Sequence, residues 1–485
     1  MHKKTKVLKV LIPIAVALFM FYQMGCNQSG SSNSTNNTEK NAKADFSGFP
    51  DFGVMISPDS FATYYPGQKV FSLRQDYPTV MPGADKIPGF FKMPFDDKAK
   101  WMDWLMAVRE HCFDGMIDVD FVPQLNKKND WYQVPWLHYG DSANGWKSSE
   151  GFHGLAKEIN IDPYQLAPEQ TQEGQTYAIG FYNSFAGYVL HKMWKDPTAP
   201  DAWITQGPKG GFPVGTVIFK LLFTDLDSTQ APFLKNPFTW DAFITPNWLA
   251  NNRVVKKVNL IQMDIMVRDE AADKYGTGWI FGTFCYNGAL NKGKTMKERV
   301  MNLVPVGIQF GTDPDYKTNY INPYPVTKTI INDSLKQTFI NPGSDLPPQH
   351  LGWGSRLDGI VDLNTASCMS CHATGEFPQL SPVVPVECFI GIYKHVSPTD
   401  SVLTYLTETN SAAFKKYFTN TRCATAYDPV NAVSTDFSLQ VSLSLQYFWQ
   451  WKNRMLRGYY ADEYNSPVYR VGRDFELKKN SKKLK

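Results

Sequence analysis

Residues 368–372 read Cys-Met-Ser-Cys-His, and this pentapeptide constrains the chain more than any other segment. The C-x-x-C-H spacing is the attachment signature of c-type haem. Two thiols three residues apart can reach the two vinyl groups of one porphyrin, and the adjacent imidazole turns beneath the ring to bind iron. A thioredoxin-like redox pair would sit at a helix start in a βαβ context, and Asp362-Leu363-Asn364-Thr365-Ala366-Ser367 does not supply one. A zinc site would need a second Cys/His pair at similar spacing, and the chain has none. The motif occurs once. A single covalent haem c is therefore expected, with Cys368 and Cys371 as thioether donors and His372 as the axial iron ligand.

Haem c is attached outside the bacterial cytoplasm, and the N-terminus agrees with export. Lys3, Lys4, Lys6 and Lys9 precede an apolar run from Val10 to Tyr22. That run has the length of a signal-peptide core and is short for a bilayer span. Gly25-Cys26 follows and resembles the lipobox of bacterial lipoproteins, with Gln23 where an aliphatic residue is usual. The resemblance implies lipidation of Cys26; plain cleavage near Gly25 is the alternative. Asn27 after Cys26 is compatible, by the same resemblance, with outer-membrane sorting. Residues 27–44 are almost wholly Ser, Asn, Thr, Gly, Lys and Ala, a composition that buries too little apolar surface to order itself. We therefore read residues 1–25 as a signal peptide and 26–45 as a lipidated cysteine with a flexible linker, placing the protein in the periplasm or attached to the outer membrane.

The net charge is +3, and the four leader lysines account for it, leaving the rest of the chain near neutrality. No nucleic-acid partner is expected. Residues 471–485 form a basic tail, without interleaved aromatics, that reads as a solvated end.

Seven cysteines occur. With Cys26 lipidated and Cys368 and Cys371 on haem, four remain, and an oxidising compartment allows them two disulfides in three connectivities. Cys388 with Cys423, both flanking the haem region, and Cys112 with Cys285 is the preferred pairing; free buried thiols are the alternative.

The sixth iron ligand stays open. No Met falls between Ser370 and Arg454, Met455 is the first after the motif, and His395 is the one His after it. The candidates are His395, Met455 and a position without a protein ligand, the last favouring ligand binding or catalysis over electron transfer. His111, His138, His153, His191 and His350 read as structural residues.

Residues 97–112 carry Trp101, Trp104, Leu105, Val108 and Cys112 at helical spacing, with Asp96 or Asp97 as cap. Residues 212–223, 258–267, 278–286 and 303–310 are rich in β-branched and aromatic residues and predict strands. Phe437, Leu439, Val441, Leu443, Leu445 and Tyr447 alternate as in a strand, but some twenty residues without a breaker favour a helix over 435–457. The 13 Trp, 24 Tyr and 32 Phe serve either a tightly packed β-rich core or a ring-lined cleft. Asp114, Asp118 and Asp120 sit in a segment with strand-like alternation, Asp313 and Asp315 lack the spacing of a calcium loop, and both groups read as surface turns. The chain has no P-loop, G-x-S-x-G or H-E-x-x-H, and no catalytic residue is singled out. The expected fold is α+β and mainly β: a β-sandwich-like domain with inserted helices over 46–341, then a haem-bearing region over 342–470.

Residues 101–121, 131–136, 212–223, 277–288, 350–354, 368–372 and 436–447 together resemble a family of large bacterial exported cytochromes with one C-terminal haem motif. The resemblance implies haem and export and supplies no substrate. A second likeness is to β-sheet cytochromes that oxidise hydroxylamine or bind small gases. It rests on Phe212-Pro213-Val214-Gly215-Thr216-Val217, Gly278-Trp279-Ile280-Phe281 and the C-x-x-C-H motif, at a longer spacing here. That likeness implies a haem against a β-sheet with His372 as its protein ligand. Hydroxylamine oxidisers cross-link a Lys to the haem; Lys220 follows the first signature, and that role is not assigned to it.

The leading expectation is an electron-transfer protein with a redox partner in the cell envelope, held to the membrane by its lipid. The alternatives are a haem-dependent oxidoreductase acting on a small molecule at an open iron, and a binding or sensing lipoprotein with haem as reporter or staple.

Overall fold

Each of the four segments rich in β-branched and aromatic residues forms a strand, and all four enter one antiparallel sheet. The computed structural model describes residues 72–137, 150–244, 254–315, 326–336, 352–363, 366–381 and 412–459, together with two short strands at 394–395 and 401–402 and a few isolated positions. In chain order the elements are helix α1 (Trp101–Phe113), strands β1 (Trp131–Tyr132), β2 (Ala156–Ile161) and β3 (Gly174–Asn183), helix α2 (Ser184–Met193), and strands β4 (Val217–Thr224), β5 (Thr239–Ile244), β6 (Val254–Arg268), β7 (Trp279–Tyr286), β8 (Leu303–Gln309) and β9 (Thr329–Ile331). Then come helix α3 (Cys368–Ala373), strands β10 (Glu376–Phe377), β11 (Lys394–His395) and β12 (Ser401–Val402), helix α4 (Ala412–Tyr417), strand β13 (Val433–Ser434) and helix α5 (Leu439–Tyr459).

The sheet runs β1-β3-β4-β6-β7-β8-β9, with β2 paired to β3 and β5 to β6. Gly180, Lys220, Asp264, Thr283 and Gly307 are directly opposed, strand to strand, across its centre. Alternation along each strand sends successive side chains to opposite faces. One face carries Phe219 and Phe284. On it Phe113 and Trp131 pack against Phe219, and the Arg109 guanidinium lies over Phe284 while donating to the Leu303 carbonyl at 2.7 Å. Gly282 lets α1 sit this close: a Cβ there would stand 2.6 Å from Leu105 Cδ1.

The other face carries Lys220, Asp264, Phe281 and Thr283, and α3 and the start of α5 cover it. His372 packs on Phe281 at 4.9 Å between ring centroids, and the Tyr182 and Ser438 hydroxyls are 2.8 Å apart. With both faces covered, β4, β6 and β7 read as nearly continuous apolar runs. The fold is α+β and mainly β. Among the described residues the layers over the sheet are helix and loop.

Several expectations change at this level. The described residues on either side of 341/342 pack as one unit. The reason is a shared core that joins Val217, Phe281, Met369 and Phe437. The helix expected over 435–457 is present as α5 but begins only at Leu439, after a turn at Asp436 and Phe437, and residues 114–121 are a run of turns, with Asp120 and Phe121 at positive φ. Asp97 closes the turn before α1 instead of capping it, and Asp96 pairs with Lys274. Asp313 is buried, accepting from the Thr327 and Lys328 backbone to hold the approach to β9, so it is no surface turn. Trp104, Trp131, Trp279 and Trp353 are fully buried, which assigns these rings to the core. No helix among the described residues is long and apolar enough to cross a membrane. The leader, Cys26, the linker and residues 471–485 lie outside the described residues.

Candidate functional site

In the centre of the sheet, burial is interrupted at two adjacent positions. Every residue of β4 is buried except Lys220, every residue of β6 from Val258 to Arg268 except Asp264, and β7 is buried throughout. Lys220 and Asp264 are opposed in the strand register. Cys371 and His372 are likewise half-buried, facing them from α3. All four groups are densely surrounded yet keep accessible surface, which marks a recess between the sheet and α3.

The sequence around α3 fixes how the motif enters this recess. Ser367 caps the helix: its hydroxyl accepts from Ser370 N, and the Ser370 hydroxyl accepts from Ser367 N at 3.1 Å, a reciprocal box built with Ser in place of Glu. Gln309 on β8 clamps the same end, accepting from Met369 N at 3.0 Å and donating to the Ser367 hydroxyl at 3.2 Å. Cys368 is buried, 4.0 Å from the Thr283 hydroxyl and 3.9 Å from Asp358 Oδ1.

His372 is oriented from the opposite side. Its Nδ1 lies 2.8 Å from the Phe437 carbonyl oxygen, which can only accept. Nδ1 therefore carries the proton and Nε2 presents its lone pair. Burial, with the nearby Lys220 charge, pushes the imidazole down to about 4, so it is neutral at physiological pH. The carbonyl is aimed by a tight corner in which Asp436 and Phe437 both take positive φ, at 50° and 66°. The Asp436 carboxylate locks that corner by accepting from Phe212 N at 2.6 Å, Ala424 N at 2.8 Å and Trp279 Nε1 at 3.1 Å.

A polar cluster lies beside the two cysteines. The Gln262 side-chain amide donates to both Asp264 oxygens at 3.0 Å and to Asp362 Oδ2 at 2.7 Å. Thr283 donates to Asp264 Oδ1 at 2.8 Å, and Gly359 N to Asp362 Oδ2 at 3.0 Å. Lys220 Nζ stands 3.5 Å from Glu158 Oε1. Burial, then the Asp362 charge, raises the Asp264 carboxyl to about 7, against the pull of Lys220. Burial and Asp362 raise Asp358 far above the usual carboxylate range, and one of its oxygens has no hydrogen-bond partner. Lys220 is held charged: burial opposes it, and the carboxylates of Glu158, Asp264 and Asp362 outweigh burial. Burial also raises both motif cysteines, keeping them as thiols.

Cys368, Cys371 and His372 are thus brought together as the sequence predicts. A haem c fits them: both thiols and the imidazole belong to one short helix, the Nε2 lone pair is unclaimed by any hydrogen bond, and accessible surface opens at Cys371 and His372. No group of three or more His, Cys, Asp or Glu side chains among the described residues is arranged to bind a metal ion directly.

The Met455 side chain lies outside the described residues, and only its backbone place on α5 is set. Phe437, which touches His372, precedes α5, and Met455 lies sixteen residues beyond Leu439 on that helix, roughly 24 Å away at 1.5 Å per residue. Phe448, on the way, already packs on Trp136 and Trp194. The His395 side chain lies outside the described residues, though its backbone pairs in β11 with β12.

Cys112 and Cys285 are free thiols rather than a disulfide. The sheet separates them: Cys285 shares the face of Phe281 and Thr283, while α1 packs on the other. Cys423 is also free, and Cys388 lies outside the described residues. His111 and His153 are held neutral by burial, at about 4 and about 3, and pack on the Trp131 and Trp240 rings; His138 and His350 lie outside the described residues.

The sequence reading missed Gln262, Asp264, Asp358 and Asp362 and left Lys220 without a role. A signal existed for two of them. Lys220 sits in Val-Ile-Phe-Lys-Leu-Leu-Phe and Asp264 in Ile-Gln-Met-Asp-Ile-Met-Val, and a charge inside an apolar strand is costly unless something there needs it. Compared with family models, curated proteins and solved structures, the chain matches none.

Proposed function

We propose that the chain is a monohaem c-type cytochrome of the cell envelope that transfers electrons to or from a partner protein. The observation that carries this reading is His372, neutral, oriented through Nδ1 by the Phe437 carbonyl, and paired in one helix with Cys368 and Cys371. Metal-bound histidines characteristically donate their second ring nitrogen in this way, which fixes the tautomer and strengthens the ligand. The haem, when bound, supplies one-electron chemistry. Cys368 and Cys371 would fix it covalently, His372 would hold iron, and the β7–β8 and Asp436 contacts would keep that imidazole in place. Export, and a lipid anchor at Cys26 holding the protein in the periplasm or at the outer membrane, belong to the same proposal and rest on residues 1–26.

A second reading, a haem-dependent oxidoreductase acting on a small molecule, is favoured by one specific finding. The recess is lined by Lys220, Asp264 and Asp362. Half-buried titratable groups in such a recess can also pass a proton to or from a small substrate.

Visible spectra of the oxidised and dithionite-reduced protein, with and without CO, test both. A low-spin spectrum indifferent to CO is expected of the carrier. A CO-shifted spectrum would replace that reading with the oxidoreductase, and absence of a c-type band would overturn both.

A further inference from the structure

The two carboxylates beside the haem motif share a single amide donor. Asp264 and Asp362 accept from the same Gln262 nitrogen at 3.0 and 2.7 Å, which holds their oxygens within about 6 Å of one another, close enough for like charges to oppose joint ionisation. Every element around them adds a charged or titratable group: Lys220 from β4, Glu158 from β2, Asp358 from the preceding loop, and Cys368, Cys371 and His372 from α3. Lys220 is the one cation in this set and already faces Glu158 at 3.5 Å. One positive charge therefore stands against Glu158, Asp264 and Asp362, and a proton on the pair brings the set one charge nearer neutrality. Asp358 is buried, whereas Asp264, Asp362, Lys220 and Glu158 keep more accessible surface and stand nearer to water.

The pair is also one residue away from the cofactor attachment point. Thr283, which donates to Asp264 at 2.8 Å, stands 4.0 Å from Cys368 Sγ. We propose that Asp264 and Asp362, bridged by Gln262 and facing Lys220, form a proton-binding site that fills on reduction of the bound haem and empties on its oxidation. This inference rests on the haem reading above. In the step, one electron arrives from an external one-electron donor and takes ferric iron to ferrous. One proton arrives from water and forms one O–H bond on a carboxylate of the pair. Oxidation sends the electron to the acceptor and the proton back to water. Burial and the Asp362 charge, which raise Asp264 to about 7, put this exchange near physiological pH.

The test is the midpoint potential of the full-length holoprotein as a function of pH, read by spectroelectrochemistry. From about pH 6 to 8 the potential should fall as pH rises, toward a tenfold change in the reduction equilibrium per pH unit, about 59 mV for a one-electron couple. Asp264→Asn should flatten that dependence, and Asp362→Asn should move it to lower pH. A flat potential in the wild-type protein, or an undiminished slope in Asp264→Asn, overturns the proposal while leaving the haem reading intact. Should the variants fail to fold, the wild-type infrared difference spectrum decides: a protonated-carboxyl band gained on reduction supports the site, and its absence overturns it. Absence of a c-type band would instead defeat the haem reading, and this proposal with it.

Discussion

Asp264 lies between the buried apolar Met263 and Ile265 near the middle of β6, and its cost shows in its raised carboxyl. The unfolded chain releases this proton near the ordinary value of 3.8, while the folded chain holds it until about 7. Between those limits the folded state binds more protons, so the stability contributed by this group falls as pH rises across the window. Thermal unfolding midpoints from about pH 4 to 8 should therefore decline more steeply in the wild type than in Asp264→Asn. Equal slopes would mean that Asp264 ionises normally in the fold. Lys220 and Asp264 were legible as charges inside apolar runs. Asp362 was not, because it lies on a loop a hundred residues from Gln262 and only the fold brings them together. His372 was legible from the motif, but the Phe437 carbonyl that orients it depends on a left-handed corner at Asp436 and Phe437, residue types that give no such warning.

At the scale of elements, the sequence located what depends on local pattern. Helix α1, the four central strands and α5 follow from periodicity and run length. The failures concern placement and local turns. Pairing Cys388 with Cys423 leaves Cys112 and Cys285 as partners, yet the sheet lies between them. Residues 114–121 alternate like a strand, yet Asp120 and Phe121 turn through positive φ. The seat of α1 on β7 supplies a test of the layering itself. Gly282→Val would drive a Cβ to 2.6 Å from Leu105 Cδ1 and 3.0 Å from Ile265 Cγ1. It should cost about 1–3 kcal/mol of stability in denaturant unfolding, the range for overpacked cores. A neutral Gly282→Val would mean that α1 does not pack there.

For the whole molecule, the main outcome is that the region bearing the motif is the second cover of the sheet and not a domain appended to it. The shift to Pro and Gly near residue 342 suggested a boundary, because composition records a change of chain character and not which surfaces share a core. Since Met369 and Phe437 belong to the same core as Val217 and Phe281, the described fold should unfold as one. Tryptophan fluorescence and haem absorbance are expected to give coincident denaturation curves. Two separated transitions would restore the boundary. The account turns on covalent attachment of one haem through Cys368 and Cys371. The measurement that reaches this most directly is the intact mass of the mature protein, matured in a cytochrome c-competent host and then fully denatured. A single haem retained through denaturation, and lost in a Cys368→Ser/Cys371→Ser variant, is the predicted result; a denatured wild-type chain with no added mass at these cysteines would contradict it.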